Sequence, residues 1–204
     1  MSEMDKAIGL VNEGTDLYKE GKFAEAVAAY SAAIRITPDV ESTHFNLGLA
    51  LARLGRVSEA KAAYQEALRL FPEYPEVHNN LGNLLASQGE LAEATRLLAK
   101  AVELAPDSAS AQNNYGTVLI RQGQLTNALQ RFANAVQISP DYLEARCNLG
   151  NALVTQGKLS EAVAEFQTVL KKRPDFEPAQ RGLARVQQRQ GESGPGPVLD
   201  PPAK

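Results

Sequence analysis

The side chains in this sequence best able to do chemistry are two histidines, one cysteine and a set of evenly spaced asparagines. His44 and His78 stand 34 residues apart, and such a pair could hold a metal ion or move a proton. Cys147 is the single thiol and as a thiolate would be a nucleophile. Context argues against both. The histidines hold the same place in two successive copies of a repeated segment. Cys147 has no histidine near it in sequence and is expected on the exposed side of a helix as a plain surface thiol. The recurring acids Glu59, Glu93 and Glu161 fall at helix starts, where the positive helix end explains them. The glycines lack the G-x-G-x-x-G spacing of a phosphate loop. No catalytic residue, metal site or cofactor is assigned. The asparagines remain: Asn12, Asn46, Asn80, Asn114 and Asn148, one every 34 residues. A carboxamide offers donors and an acceptor together, so it can bond a peptide backbone whatever its side chains.

The elements that position them repeat with the same interval. Proline recurs at Pro38, Pro72, Pro106, Pro140 and Pro174; glycine recurs at Gly14, Gly48, Gly82, Gly116 and Gly150, and again from Gly21 to Gly191. No insertion breaks the register, which makes the chain an array of one unit. In the first copy, Leu10, Gly14 and Leu17 share a helical face, Gly21 closes that helix, Ala26, Tyr30, Ala33 and Ile34 mark a second, and Pro38 ends it. Each copy is therefore an αα-hairpin. Gly48, Gly82, Gly116 and Gly150 lie twelve residues before Ala60, Ala94, Ala128 and Ala162, where small residues let two helices approach. Ser58, Thr126 and Ser160 are expected to cap second helices.

This pattern resembles the tetratricopeptide repeat family across about 170 of the 204 residues. Counted within a copy, the family favours large residues at positions 4 and 7, glycine at 8, an aromatic or leucine at 11, alanine at 20 and 27, an aromatic at 24 and proline at 32. The second copy matches with His44, Leu47, Gly48, Leu51, Ala60, Tyr64, Ala67 and Pro72. The resemblance implies an all-α, right-handed α-solenoid. Its parts are a lead over 1–6, hairpins at 7–40, 41–74, 75–108, 109–142 and 143–176, a capping helix at 177–190 and a disordered tail at 191–204. It also makes His44 and His78 packing residues. Glu13, Val169 and Lys172 depart from the pattern near the two ends and are expected at stack edges, which need polar faces.

In this family the first helices line a concave groove, which would place the five asparagines in a row. Asn79 and Asn113 flank them at position 5, and Asn83 and Asn151 at position 9. The series resembles that in the repeat domain of protein O-GlcNAc transferase, where asparagines at this position hold peptide backbone. Asparagine is also frequent there across the family, so an average repeat would show it too. Phe45, with Val11, Tyr18 and Leu49, would supply apolar contacts, Arg121, Arg181 and Arg185 positive ones, and Glu76 and Glu144 negative spots. The carboxylate-binding pattern of heat-shock co-chaperone repeats is missing, because its cations are replaced by Val11, Glu76 and Asn80 from the first copy and by Asn79, Glu144 and Asn148 from the third.

Composition narrows the partners. A net charge of −3 argues against nucleic acid or a membrane surface as the target, although residues 143–190 carry 8 basic and 5 acidic side chains. No apolar run spans a bilayer, and the acidic start does not suit a signal peptide, so a cytoplasmic location is expected. The implied function is a non-catalytic scaffold that takes an extended protein segment in the groove. The alternatives are a self-assembling module that forms homo-oligomers through its end helices or convex faces, and the accessory domain of a larger enzyme such as a glycosyltransferase.

Overall fold

A proline restrains the residue before it from the α conformation. In the computed structural model, which describes residues 2–192, this is how the second helices end. Thr37, Phe71, Ser139 and Arg173 each precede a proline and turn out of the helix with ψ between 83° and 93°. The first helices end by another device. Gly21, Gly55, Gly89, Gly123 and Gly157 take positive φ (73° to 88°), a region that residues with a Cβ rarely enter. The residue after each glycine donates back across the turn to the carbonyl of Leu17, Leu51, Leu85, Leu119 or Leu153 at 2.9–3.0 Å. These two stop signals divide the described residues into eleven helices with no strand.

The chain falls into two compact units, Met1–Val118 and Leu119–Lys204. The first holds three hairpins: α1 (Glu3–Lys19) with α2 (Phe23–Ile36), α3 (Glu41–Arg53) with α4 (Val57–Leu70), and α5 (Pro75–Ser87) with α6 (Leu91–Leu104). α2 packs on α3 and α4 on α5, while the first helices touch in the order α1, α3, α5. The boundary falls within α7 (Ala109–Arg121). The second unit holds α8 (Leu125–Ile138), α9 (Leu143–Gln156), α10 (Leu159–Lys172) and α11 (Glu177–Glu192); α11 rests on both α9 and α10.

The hairpins are closed by one recurring contact. Ala26, Ala60, Ala94, Ala128 and Ala162 have no exposed surface, and the residue four places on from each of them, at Tyr30, Tyr64, Leu98, Phe132 and Phe166, is also buried. A Cβ at Gly14, Gly48 or Gly150 would sit 2.5–2.7 Å from the ring of Tyr30, Tyr64 or Phe166. At Gly82 it would lie 2.8 Å from Leu98 Cγ and 3.3 Å from the Ala94 carbonyl. The first-helix glycine therefore makes room chiefly for the large residue sixteen places on, and only secondarily for the alanine. Phe166 is gripped twice, since a Cβ at Gly182 of α11 would also overlap its ring.

Several sequence-based expectations need correction. The lead is helical from Glu3, because Ser2 and Asp5 form a reciprocal capping box. Ser58, Thr126 and Ser160 do not cap. The second helices begin at Val57, Leu125 and Leu159, so the hydroxyls fall inside the first turn. Val169 is not a polar edge: it is fully buried in a cluster with Phe166, Ala179 and Val186, where α11 covers it. Lys172 pairs with Asp141. Gly191 lies within α11 and closes no turn. The tail expected at 191–204 lies, beyond Glu192, outside the described residues.

Candidate functional site

Position 4 of the repeat has one structural job in every copy but the first. His44 Nε2 lies 2.7 Å from the Pro38 carbonyl, and His78 Nε2 lies 2.8 Å from that of Pro72. Gln112 donates to Pro106 O at 3.0 Å, Arg146 to Pro140 O at 2.9 Å and Gln180 to Pro174 O at 2.8 Å. Each side chain reaches six residues back and ties a first helix to the end of the preceding copy. Both imidazoles must carry their proton on Nε2 to make this bond, so they act as structural donors. Among the described residues no group of three or more His, Cys, Asp or Glu side chains is placed to hold a metal. The shared feature at position 4 is a side-chain N–H rather than bulk, and His, His, Gln, Arg, Gln in series carried that signal.

Cys147 is buried, not exposed, on the core side of α9 beside Leu143 and Val154. Burial, with help from the Glu144 carboxylate, pushes its thiol up to about 11. A thiol so placed stays protonated near neutrality, which removes it as a nucleophile.

The asparagines divide between the two units. In the first, Asn12 on α1 is exposed, Asn46 on α3 and Asn79 and Asn80 on α5 are half-buried, and Asn83 is exposed. On α7, Asn113 is buried and Asn114 half-buried. Asn80 Nδ2 donates to the Glu76 carbonyl of its own helix at 2.8 Å. Asn114 Nδ2 donates to Asn79 Oδ1 at 3.0 Å, linking two first helices. That bond leaves the Asn79 N–H groups and the Asn114 carbonyl oxygen, a donor and an acceptor side by side, for other partners. In the second unit Asn148 and Asn151 are half-buried on α9, and Asn151 Oδ1 accepts from Arg185.

The apolar candidates are less available than the sequence suggests. Phe45 is half-buried in an aromatic cluster, its ring centroid 6.1 Å from that of Tyr64 and 5.3 Å from that of Tyr74. Tyr18 stacks edge-on against Phe23, 5.2 Å away. Arg121 and Glu144 are exposed. Sequence reasoning missed two concavities. One, of about 200 Å³, lies in the first unit over Met4, Ile8, Val11, Asn12 and Val40. The other, of about 530 Å³, lies in the second unit over Leu129, Ala133, Leu149, Leu153 and Ala164.

Models of the tetratricopeptide repeat match residues 11–75, 45–108, 79–142 and 119–192. The chain belongs to the tetratricopeptide repeat family. Among curated proteins none matches. Solved tetratricopeptide repeat structures share the fold at low identity. YrrB, a TPR protein with an unusual peptide-binding site, is 24% identical over 86% of this chain and 90% of its own, with a TM-score of 0.68. MamA from Desulfovibrio magneticus RS-1 is 23% identical over 84% and 98%, with a TM-score of 0.73. TTC0263, a thermophilic TPR protein from Thermus thermophilus, is 21% identical over 89% and 99%, with a TM-score of 0.70. At such identity these likenesses speak for the fold alone. No helix among the described residues is long and apolar enough to cross a membrane.

Proposed function

We propose that this tetratricopeptide repeat protein is a non-catalytic scaffold that holds an extended protein segment on its first-helix face, through backbone bonds to the asparagine series. The observation that carries the reading is the Asn79–Asn114 pair. It joins α5 to α7 and presents a donor and an acceptor together, as an extended peptide backbone needs. Asn12 and Asn46 continue the series on α1 and α3, which touch. A peptide-binding site in YrrB, which shares the fold, supports this reading. Each net hydrogen bond contributes only ~0.5–1.5 kcal/mol against an association cost of ~4–15 kcal/mol, so side-chain contacts must add to it.

The test is a quadruple change of Asn46, Asn80, Asn114 and Asn148 to alanine. Helicity should survive, since alanine is the better helix former. Affinity for a segment captured with the wild-type chain should fall at least tenfold, about 1.4 kcal/mol. Full affinity in that variant would refute the reading. Self-assembly is the second reading, favoured by Met4 and Ile8, which are 56% and 53% exposed on the end helix α1. Under that reading the mass by light scattering would rise with concentration, and Ile8→Glu would abolish the rise.

A further inference from the structure

The second unit carries a cationic recess that the asparagine series does not account for. α11 sets Arg181 and Arg185 four residues apart, on neighbouring turns of one helix face. With Pro178 and with Asn151 of α9, they line an open recess of about 310 Å³. Arg185 donates to Asn151 Oδ1, which holds its guanidinium toward α9. A guanidinium carries five N–H donors in a planar fork, so most of them remain for a ligand. Arg181 donates to Glu177 Oε2 at 3.0 Å, but these side chains are 71% and 74% exposed. Pairs so exposed are weak and readily exchanged. Arg189, one turn further along, is directed elsewhere and donates to the Val154 carbonyl at 2.6 Å.

We infer that this recess receives side-chain carboxylates of an acidic peptide segment. Arg185 grips one carboxylate through its oriented fork, and Arg181 exchanges Glu177 for a second. A planar fork matches a carboxylate by two parallel bonds, which a lysine cannot provide. The segment that carries the recess leans the same way, since 143–190 hold 8 basic and 5 acidic side chains in a chain of net charge −3. Asn151 contributes twice, by orienting Arg185 and by offering its own N–H groups to the segment. The inference rests on the first-helix face being a peptide-receiving one, and adds the chemistry that this end selects.

Fluorescein-labelled hexaglutamate, titrated with the full chain at low ionic strength and followed by anisotropy, tests it. The double variant Arg181→Gln, Arg185→Gln should bind at least tenfold more weakly. Glu177→Gln should bind more tightly, because the competing carboxylate is gone. Arg185→Lys, which keeps the charge and loses the fork, should fall between wild type and the double variant. Lys171→Gln, which removes an exposed cation outside the recess, should change nothing. The inference is overturned if the double variant matches wild type, if Lys171→Gln weakens binding as much, or if hexaglutamine or an oligothymidylate binds as well as hexaglutamate. The ratio of hexaglutamate to hexaglutamine affinity reports the recess, whereas a weakening of both peptides alike in Asn46→Ala, Asn80→Ala, Asn114→Ala reports the backbone-reading asparagine series, so failure of the one and failure of the other are told apart.

Discussion

Replacing His78 tests the junction between successive repeats. Its imidazole is buried, with 7% of the residue exposed, and its Nε2 donates to Pro72 O at 2.8 Å. His78→Ala removes one hydrogen bond, a net loss of ~0.5–1.5 kcal/mol. It also removes a buried ring, worth roughly 1–2 kcal/mol of contact. The sum is about 1.5–3.5 kcal/mol. His78→Gln should behave differently, because Gln112 and Gln180 make the equivalent bond at 3.0 and 2.8 Å. Glutamine keeps the donor and most of the volume, so its cost should stay below about 1 kcal/mol. Urea unfolding followed by far-ultraviolet circular dichroism measures both, and amide exchange should place the loss for His78→Ala in α4 and α5. If glutamine proves as damaging as alanine, the donor is not what position 4 supplies. If alanine costs less than about 0.5 kcal/mol, the bond to the carbonyl contributes no net stability.

Gly182→Ala would drive a methyl into the Phe166 ring and should lower stability by ~1–3 kcal/mol by thermal melting. Adding Phe166→Leu, the residue type the third repeat has at Leu98, should recover part of that loss. Cys147 is held as a thiol up to about 11 against an ordinary value near 9. The folded state therefore keeps a proton that the unfolded chain releases, and this contribution is complete below pH 9 and lost as pH rises through 11. Melting curves over that window should flatten in Cys147→Ala, and alkylation of the native thiol at about pH 8 should be at least roughly a hundredfold slower than in urea.

Most of the architecture was legible because every repeat restates it. Proline after the second helix and glycine after the first act locally, and their physics needs no knowledge of the neighbours. The buried alanines and the large residue four places on follow from periodicity in the same way. What escaped depended on contacts between elements. Helical phase alone puts Cys147 on an outer face, because it does not show that α9 is covered by α8, α10 and α11. Family preference makes any residue but alanine at Val169 a departure and so an edge, whereas in the structure the larger side chain fills space under α11. The sequence offers Ser58, Thr126 and Ser160 as caps, but one turn geometry shared by all five glycine turns brings each second helix in earlier. Within the candidate site, the presence of asparagines was visible from spacing, but the Asn79–Asn114 bond joins residues 35 apart on different helices. No local pattern announces it.

The bond from position 4 to a proline carbonyl has a bearing on how such a chain can change. Its acceptor is main chain, identical in every copy, and its donor can be histidine, glutamine or arginine. Neither partner must be matched to the other when a copy is duplicated, deleted or exchanged with its neighbour. The coupling is a standard fitting, and length can vary without a compensating change on the opposite side of the joint. The same indifference carries a hazard. Any first helix that carries such a donor can make this bond behind any of these prolines, so the bond itself does not decide which copies adjoin, and two chains unfolding together could exchange repeats through the same joint.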